Sequence, residues 1–408
     1  MTPTVPPARP LPRLAGAEAA LAAAGEVAAA LAAGAADRDR APSGTVPHDA
    51  LAVLDASGLL GITVPRAAGG AGLGPSELAE VVRILAAADP AVAQVPQAHF
   101  LFLDVAAVLA EPALQHRLWA EALAGGRIGN ALAERGGRHA QDLRTRLARD
   151  AGGRLRLNGR KYYCTGALTA RWIAVSALDA DDRLSVAIVG REAEGVAVEP
   201  DWDVMGQRAT VSGTTTFDDV EVDEAMVLDY AQAFAGPQQL GARAQLVHAA
   251  IEVGIARGAL DDARAYLREH ARPSSEGVRA GLHHASEDPH VQHRYGRLAT
   301  QVRAAEALLV SAAATLDEIG LVPRDADAAA RGSLAVAAAK AFGSEVAVQV
   351  ASDLFAMCGT SATAGRWNLD RHWRNARTHS VHDPVDWKYH HIAAYELSEV
   401  LPPNHGQL

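Results

Sequence analysis

From about residue 127 to residue 230 the apolar side chains of this chain alternate with a period of two, while on either side they recur at steps of three and four. That change of period constrains the fold more than any other feature, because a segment patterned as a half-buried strand does not settle as an amphipathic helix. The chain therefore lays a β unit between two helical ones. In the first helical part, stretches such as ELAEVVRILAAADPAVAQ keep the helical step, with glycine and proline gathered between them. Within the β part, GRLRLNGRKYYCTG carries Asn158-Gly159 between alternating runs, the strongest short hairpin signal. RWIAVSALDADDRLSVAIVG reads as a second hairpin turning at Asp181-Asp182, and GTTTFDDVEV as a further strand. An antiparallel barrel or sandwich of roughly 100 residues fits. In the last part, QLVHAAIEVGIARGALDDARAYL and RGSLAVAAAKAFGSEVAVQVASDLFAMCG are long enough for the helices of a four-helix bundle. The expected organisation is mainly α with a β domain: a proline-rich disordered tail over 1–15, an N-terminal helical domain over 16–126, a β domain over 127–235 and a C-terminal bundle over 236–408.

Composition narrows the function. A net charge of −10 argues against nucleic acid as a partner, since phosphate binding needs clustered cations. Two cysteines, Cys164 and Cys358, imply no disulfide framework and point to a reducing compartment. The start lacks the apolar core of a signal peptide, and AALAAAGEVAAALAAGAA is mostly alanine interrupted by Glu26. Alanine forms helices well and anchors in lipid poorly, so the expectation is a cytoplasmic protein with no membrane partner. The glycine-rich turn in GITVPRAAGGAGLG does not make a dinucleotide loop: Pro75 occupies the third glycine position and no βαβ unit surrounds it.

The segment RHWRNARTHSVHDPVDWKYHH, residues 371 to 391, holds five of the sixteen histidines. Read helically, His372, Asn375, His379 and His382 fall at steps of three, four and three, on one face. Pro384 disfavours helical geometry at Asp383, so the helix is expected to stop there. Asp383 would then cap a second helix with Pro384 in its first position, leaving His382 near a positive helix end. His379, His382 and Asp383 could supply metal ligands, but the HExxH pattern is absent and no metal is assigned.

The order helices–strands–helices, together with ITVPRAAGGAGLG, YYCTG and MGQRATVSGTTTFDDVEV, resembles the acyl-CoA dehydrogenase superfamily. The tail NLDRHWRNARTHSVHDPVDWKYH is similar to its flavin monooxygenase branch, of the dibenzothiophene monooxygenase and SfnB-type sulfur-acquisition kind. Two departures separate the chain from the dehydrogenases. Neither region that holds their catalytic glutamate has one in place: the histidine run fills the first, and Ala244 stands in the second, with Glu252 two helical turns further on. The segment that would meet the adenine half of FAD is altered to MCGTSATAG, which favours FMN over FAD.

What the resemblance implies is a monooxygenase that takes reduced FMN from a separate NAD(P)H-dependent reductase. Through a C4a-hydroperoxyflavin it would oxygenate a small, organosulfur substrate, as a homotetramer. His382 and His379 would donate protons and stabilise the peroxide, His99 would line the substrate pocket, and His248 would face it. Thr165 matches a hydroxyl residue near flavin N5; Tyr163 and Trp202 would flank the ring system, and Asn130 would be a polar pocket residue. Arg272 would hold the flavin phosphate across a subunit boundary, where Gly359 and Thr360 would also approach. His372, His390 and His391 read as surface or structural residues, and Arg371, Arg374 and Arg377 as ion-pair partners locking the bundle. Alternatives from the same residues are an FAD-dependent acyl-CoA dehydrogenase, opposed by the missing glutamate, and a non-catalytic binding scaffold, opposed by the clustered histidines.

Overall fold

The structure, a computed structural model, describes residues 11–139 and 142–408, so most of the 1–15 tail lies outside the described residues. The first helical unit comprises α1 (Ala17–Ala32), α2 (Ala35–Arg40), α3 (His48–Ala56), α4 (Pro75–Ala88), α5 (Pro90–Gln94), α6 (Gln97–Leu109) and α7 (Pro112–Leu123). Proline supplies the first residue of α4, α5 and α7, where its missing N–H costs nothing. Asp89 starts α5, its carboxylate accepting from the N–H groups of Ala91 and Val92. On α4, Leu78, Val81, Val82 and Leu85 form the buried stripe that the helical period requires.

Eight strands follow: β1 (Ile128–Ala131), β2 (Arg146–Arg149), β3 (Leu155–Lys161), β4 (Trp172–Leu178), β5 (Leu184–Gly190), β6 (Val196–Val198), β7 (Thr215–Val222) and β8 (Val227–Leu228). They form one sheet in the order β6-β7-β3-β2-β4-β5-β8, with β1 beside β4. The sheet is mixed, not purely antiparallel as expected: β1 and β2 both run parallel to β4. Neither parallel neighbour is joined to β4 by a tight turn, so the turn signals could not show them. The hairpin at Asp181-Asp182 is present, joining β4 to β5. The one at Asn158-Gly159 is not. These residues lie inside β3, where the register shifts in a bulge against β7, and the turn is made instead between Arg149 and Leu155. A side chain at Gly159 would strike Thr145, with Cβ 2.3 Å from its hydroxyl oxygen, and Asn158 Oδ1 accepts from the Asp219 N–H at 2.8 Å. Strand β4 feeds two cores: Ile173, Val175 and Ala177 pack inside the sheet unit, and Ala174 packs with Phe102, Leu103, Leu114 and Leu118 of the helices.

The last unit is α8 (Leu240–Glu269), α9 (Ser275–Arg279), α10 (Pro289–Ile319), α11 (Ala326–Cys358), α12 (Asp370–Ser380) and α13 (Val385–Ser398). Its alanine-rich faces share one continuous core with α1, α3 and α4. Two stretches, Pro90–Leu109 and Ala326–Cys358, are long and apolar enough to cross a membrane, and most of each is buried against other elements of the protein.

Candidate active site

The histidine run folds as its spacing implies, up to a point. His372, Asn375 and His379 are buried on one face of α12, which ends at Ser380. His372 Nε2 lies 2.8 Å from the Asp262 carboxylate, so this histidine locks α12 onto α8. Arg371 pairs with Asp262 and Arg374 with Asp39 and Asp370; Arg377 is exposed and makes no ion pair among the described residues. Trp387 and His390 are exposed on α13, with His391 half-buried.

Asp383 is not a helix cap. Helix α13 opens at Val385 without a side-chain cap, and the Asp383 carboxylate is buried between two lysines, 2.8 Å from Lys388 Nζ and 3.5 Å from Lys340 Nζ. Lys340 in turn lies 2.8 Å from Glu252, both fully buried. Two carboxylates and two ammonium groups thus share the bundle interior with no net charge, the condition under which buried ions persist. Lys340, Lys388 and this use of Asp383 were missed from the sequence. The available signal was a lone lysine on α11 with Val336, Ala337, Gly343 and Ser344, all buried, at three and four residues' distance.

That quartet sets the protons of the histidines. His379 Nδ1 lies 3.0 Å from Glu252 Oε1, and a carboxylate only accepts, so Nδ1 carries the hydrogen. In a neutral ring Nε2 is then a lone pair, and His248 Nδ1, 3.1 Å away, donates to it. His248 is left with a bare Nε2. Burial, then the neighbouring His382, His379 and Lys340, push His248 well below the usual histidine range. Burial also lowers His379, against the pull of Glu252. Burial would raise the Glu252 carboxyl, but Lys340 and His379 hold it below its ordinary value. His379, assigned above to proton donation, is interior, and both its ring nitrogens are committed. His382 is the outward member. Its ring centroid is 4.1 Å from that of His248, its side chain is 42% exposed, and its Nδ1 lies 3.3 Å from Asp383 Oδ1. Ala244, His248 and Glu252 fall at four-residue steps on α8, all buried, so the relay occupies the stripe that begins where a dehydrogenase base would stand.

The second cluster lies at the edge of the sheet. Thr165 follows β3, and its carbonyl accepts from the Asn130 N–H at 3.1 Å. Tyr163 and Trp202 meet edge-to-face with centroids 6.0 Å apart, the Tyr163 ring half in solvent. Three residues here, Tyr163, Gln207 and Val211, adopt positive φ without being glycine, and for β-branched Val211 that is a strained conformation of the kind concentrated at functional sites. This edge docks on the histidine helix: the Gln207 N–H donates to Asn375 Oδ1 at 2.6 Å, and Arg374 donates to the Met205 carbonyl at 3.0 Å. Gly206 is required between them, since a Cβ there would lie 2.0 Å from the Arg374 carbonyl oxygen. Asn375 is one turn before His379, so the fold brings the two sequence motifs together.

Other expected site residues are not brought in. His99 is a satisfied core histidine: its Nε2–H donates to the Leu60 carbonyl at 2.9 Å and its Nδ1 accepts from the Ile128 N–H at 3.3 Å. Burial, with a smaller push from Arg127 and against the Leu60 bond, lowers its pKa to about 4. The fold therefore favours the neutral ring, and its contribution, complete above the unfolded value near 6.5, is lost as pH falls toward 4. A His99→Gln variant is expected to lose stability less steeply across that window, by about 1.4 kcal/mol per pH unit, in urea midpoints measured at each pH. Arg272 is exposed beyond the end of α8, and Gly359 and Thr360 are exposed beyond the end of α11. Cys358 Sγ lies 3.7 Å from the Ala263 carbonyl, so the end of α11 meets α8 about 17 Å along the axis from Glu252, and α8 itself ends about 25 Å from Glu252, at 1.5 Å per residue.

Models of the N-terminal, middle and C-terminal domains of acyl-CoA dehydrogenases match residues 17–127, 130–220 and 246–387. The chain belongs to the acyl-CoA dehydrogenase family. Within it, the chain is 33% identical over 370 residues to a dibenzothiophene monooxygenase of Rhodococcus erythropolis, covering 86% of each. It is also 33% identical over 393 residues to a probable FMNH2-dependent monooxygenase, SfnC, of Pseudomonas putida, covering 94% of this chain and 96% of that one. FMN-bound TdsC from Paenibacillus sp. A11-2 superposes with a TM-score of 0.89 at 29% identity, covering 95% of this chain and 100% of that one. Family membership alone leaves the chemistry open, because one fold carries both dehydrogenases and oxygenases.

Proposed function

We propose that this chain is a flavin-dependent monooxygenase that takes reduced FMN from a separate NAD(P)H-dependent reductase and oxygenates a small organosulfur substrate. The observation that carries this reading is the Glu252–His379–His248 relay, built on the helix stripe where Ala244 leaves a dehydrogenase without its base. The sheet edge suits a flat ring with a polar rim. The Gln207 amide and the Asn130 side-chain oxygen are buried without partners in the chain, and Tyr163 and Trp202 offer aromatic surface.

Bound reduced FMN supplies two electrons to O2, so that one oxygen atom reaches the substrate and the other leaves as water. Tyr163 and Trp202 would flank the ring system, Asn130 and Gln207 would hold its polar rim, and Thr165 would meet flavin N5. The departing oxygen needs a proton, and His382, with Nδ1 turned to Asp383 and its side chain open to solvent, is placed to carry it on Nε2. His248 offers the lone pair of Nε2 beside it, held there by His379. Anaerobic mixing with reduced FMN, then oxygen and a sulfide, tests the reading: one sulfoxide per flavin is expected. Dehydrogenation of an acyl-CoA by the FAD-loaded protein would overturn it.

The distant Arg272, Gly359 and Thr360 serve a neighbouring copy's flavin in a homotetramer. Val381, Trp387 and Leu397, at 67%, 58% and 84% exposure, leave apolar surface for subunit contact. Arg272→Ala is expected to weaken FMN about 10- to 100-fold, the worth of one charged hydrogen bond. Fluorescence titration of the variant, with light scattering of the wild type at micromolar concentration, checks both parts; a monomer that binds FMN fully would refute the shared site.

A further inference from the structure

Behind Thr165 lies a chain of hydroxyls in which each proton has only one possible direction. The Gln207 backbone carbonyl can only accept, so Thr210 Oγ1, 2.9 Å away, donates to it. Trp202 Nε1–H donates to the same oxygen at 3.0 Å. A hydroxyl owns one proton, and that of Thr210 is spent. Ser212 Oγ, 2.8 Å from Thr210 Oγ1, must therefore be the donor of that pair. The proton of Ser212 is then spent as well, and across the 2.7 Å contact with Ser212 it is Thr165 that donates. Thr165, Ser212 and Thr210 are only 8%, 4% and 2% exposed, so bulk water does not compete for these bonds. What Thr165 presents outward is lone pairs alone.

We propose that this polarised chain makes Thr165 an obligate acceptor, so that the site selects the redox state of its flavin. The inference rests on the placement of Thr165 at flavin N5. Reduced flavin carries a hydrogen on N5 and satisfies an acceptor; oxidised flavin presents a lone pair there and meets lone pairs. A free threonine hydroxyl could turn and serve either form. Here the Gln207 carbonyl, three hydrogen bonds away, forbids the turn. The protein would thus take reduced FMN from its reductase and let the oxidised form go, without any change of shape.

The test is equilibrium binding of FMN, oxidised in air and reduced under anaerobic conditions, to the wild type and three variants. The wild type is expected to hold reduced FMN about tenfold or more tighter than oxidised FMN, the difference one hydrogen bond makes. Ser212→Ala removes the acceptor of the Thr165 proton. Thr210→Ala frees the Ser212 proton to turn toward Thr165. Both should tighten oxidised FMN until the ratio approaches one, although neither residue is placed against the flavin. Thr210→Ser keeps the hydroxyl and should keep the wild-type ratio. If the wild type binds neither form, the FMN reading itself falls. If it binds FMN and the ratio stays unchanged in both alanine variants, the FMN reading stands and the proposal of a polarised chain is overturned.

Discussion

Replacing His382 by alanine is expected to leave the fold and FMN binding intact while oxygenated product collapses and hydrogen peroxide appears in its place. The side chain contributes little to packing, being 42% exposed, and its one polar contact among the described residues is the 3.3 Å approach to Asp383, which keeps two lysines without it. On the proposed mechanism, what the variant loses is a proton carrier between solvent and the interior pair. Positioned acid–base groups of this kind are worth roughly 10²–10⁴ in rate. The measurement is product formed per reduced FMN consumed, with a surrogate sulfide. Unchanged coupling in His382→Ala would mean that the histidine cluster serves only the fold. His379→Ala should differ in kind: it leaves the buried His248 Nδ1 without its partner and takes one of two partners from Glu252, which keeps Lys340, so a loss of stability should accompany the loss of coupling.

Lys340→Met is expected to be the most damaging single change to stability. It leaves Glu252 buried against His379 alone and takes one of two ammonium groups from Asp383. Stranding a buried charge costs about 3–5 kcal/mol, whereas deleting both members of a pair is far cheaper. The double variant Lys340→Met/Glu252→Gln should therefore recover part of the lost stability, read as the urea midpoint. A double variant less stable than Lys340→Met would show that the pair is not where the energy lies. Since the four charges sum to zero, the neutral state of His248 and His379 also depends on them, and the single variant should disturb coupling as well.

The order of units was legible because periodicity reports which faces are buried, and burial is what the β unit and the helices share. The histidine face of α12 was legible for the same reason: His372, Asn375 and His379 are one turn apart. Asn158-Gly159 misled because the same dipeptide fits a turn and a bulge, and the choice is made by Thr145, fourteen residues before Gly159, against which only glycine fits. Asp383 looked like a cap because local sequence cannot show Lys340, on another helix, claiming its carboxylate. His99 looked like a pocket residue because apolar neighbours say nothing of whether a carbonyl and an N–H will meet both its nitrogens. The tautomers of the histidine relay follow from Glu252, which the sequence places two turns past an expected base and cannot aim.

The seam at Gly206 has a further consequence for traffic. With the Gln207 N–H tied to Asn375, Arg374 gripping the Met205 carbonyl, and helix backbone pressed against a residue that has no side chain, sheet and bundle are riveted where the aromatic edge and the histidine helix meet. Clamshell opening about that seam is blocked. On the proposed reading, cofactor and substrate would enter and depart along the rim, past Tyr163 and Met205, the two large apolar side chains that this edge leaves about half exposed.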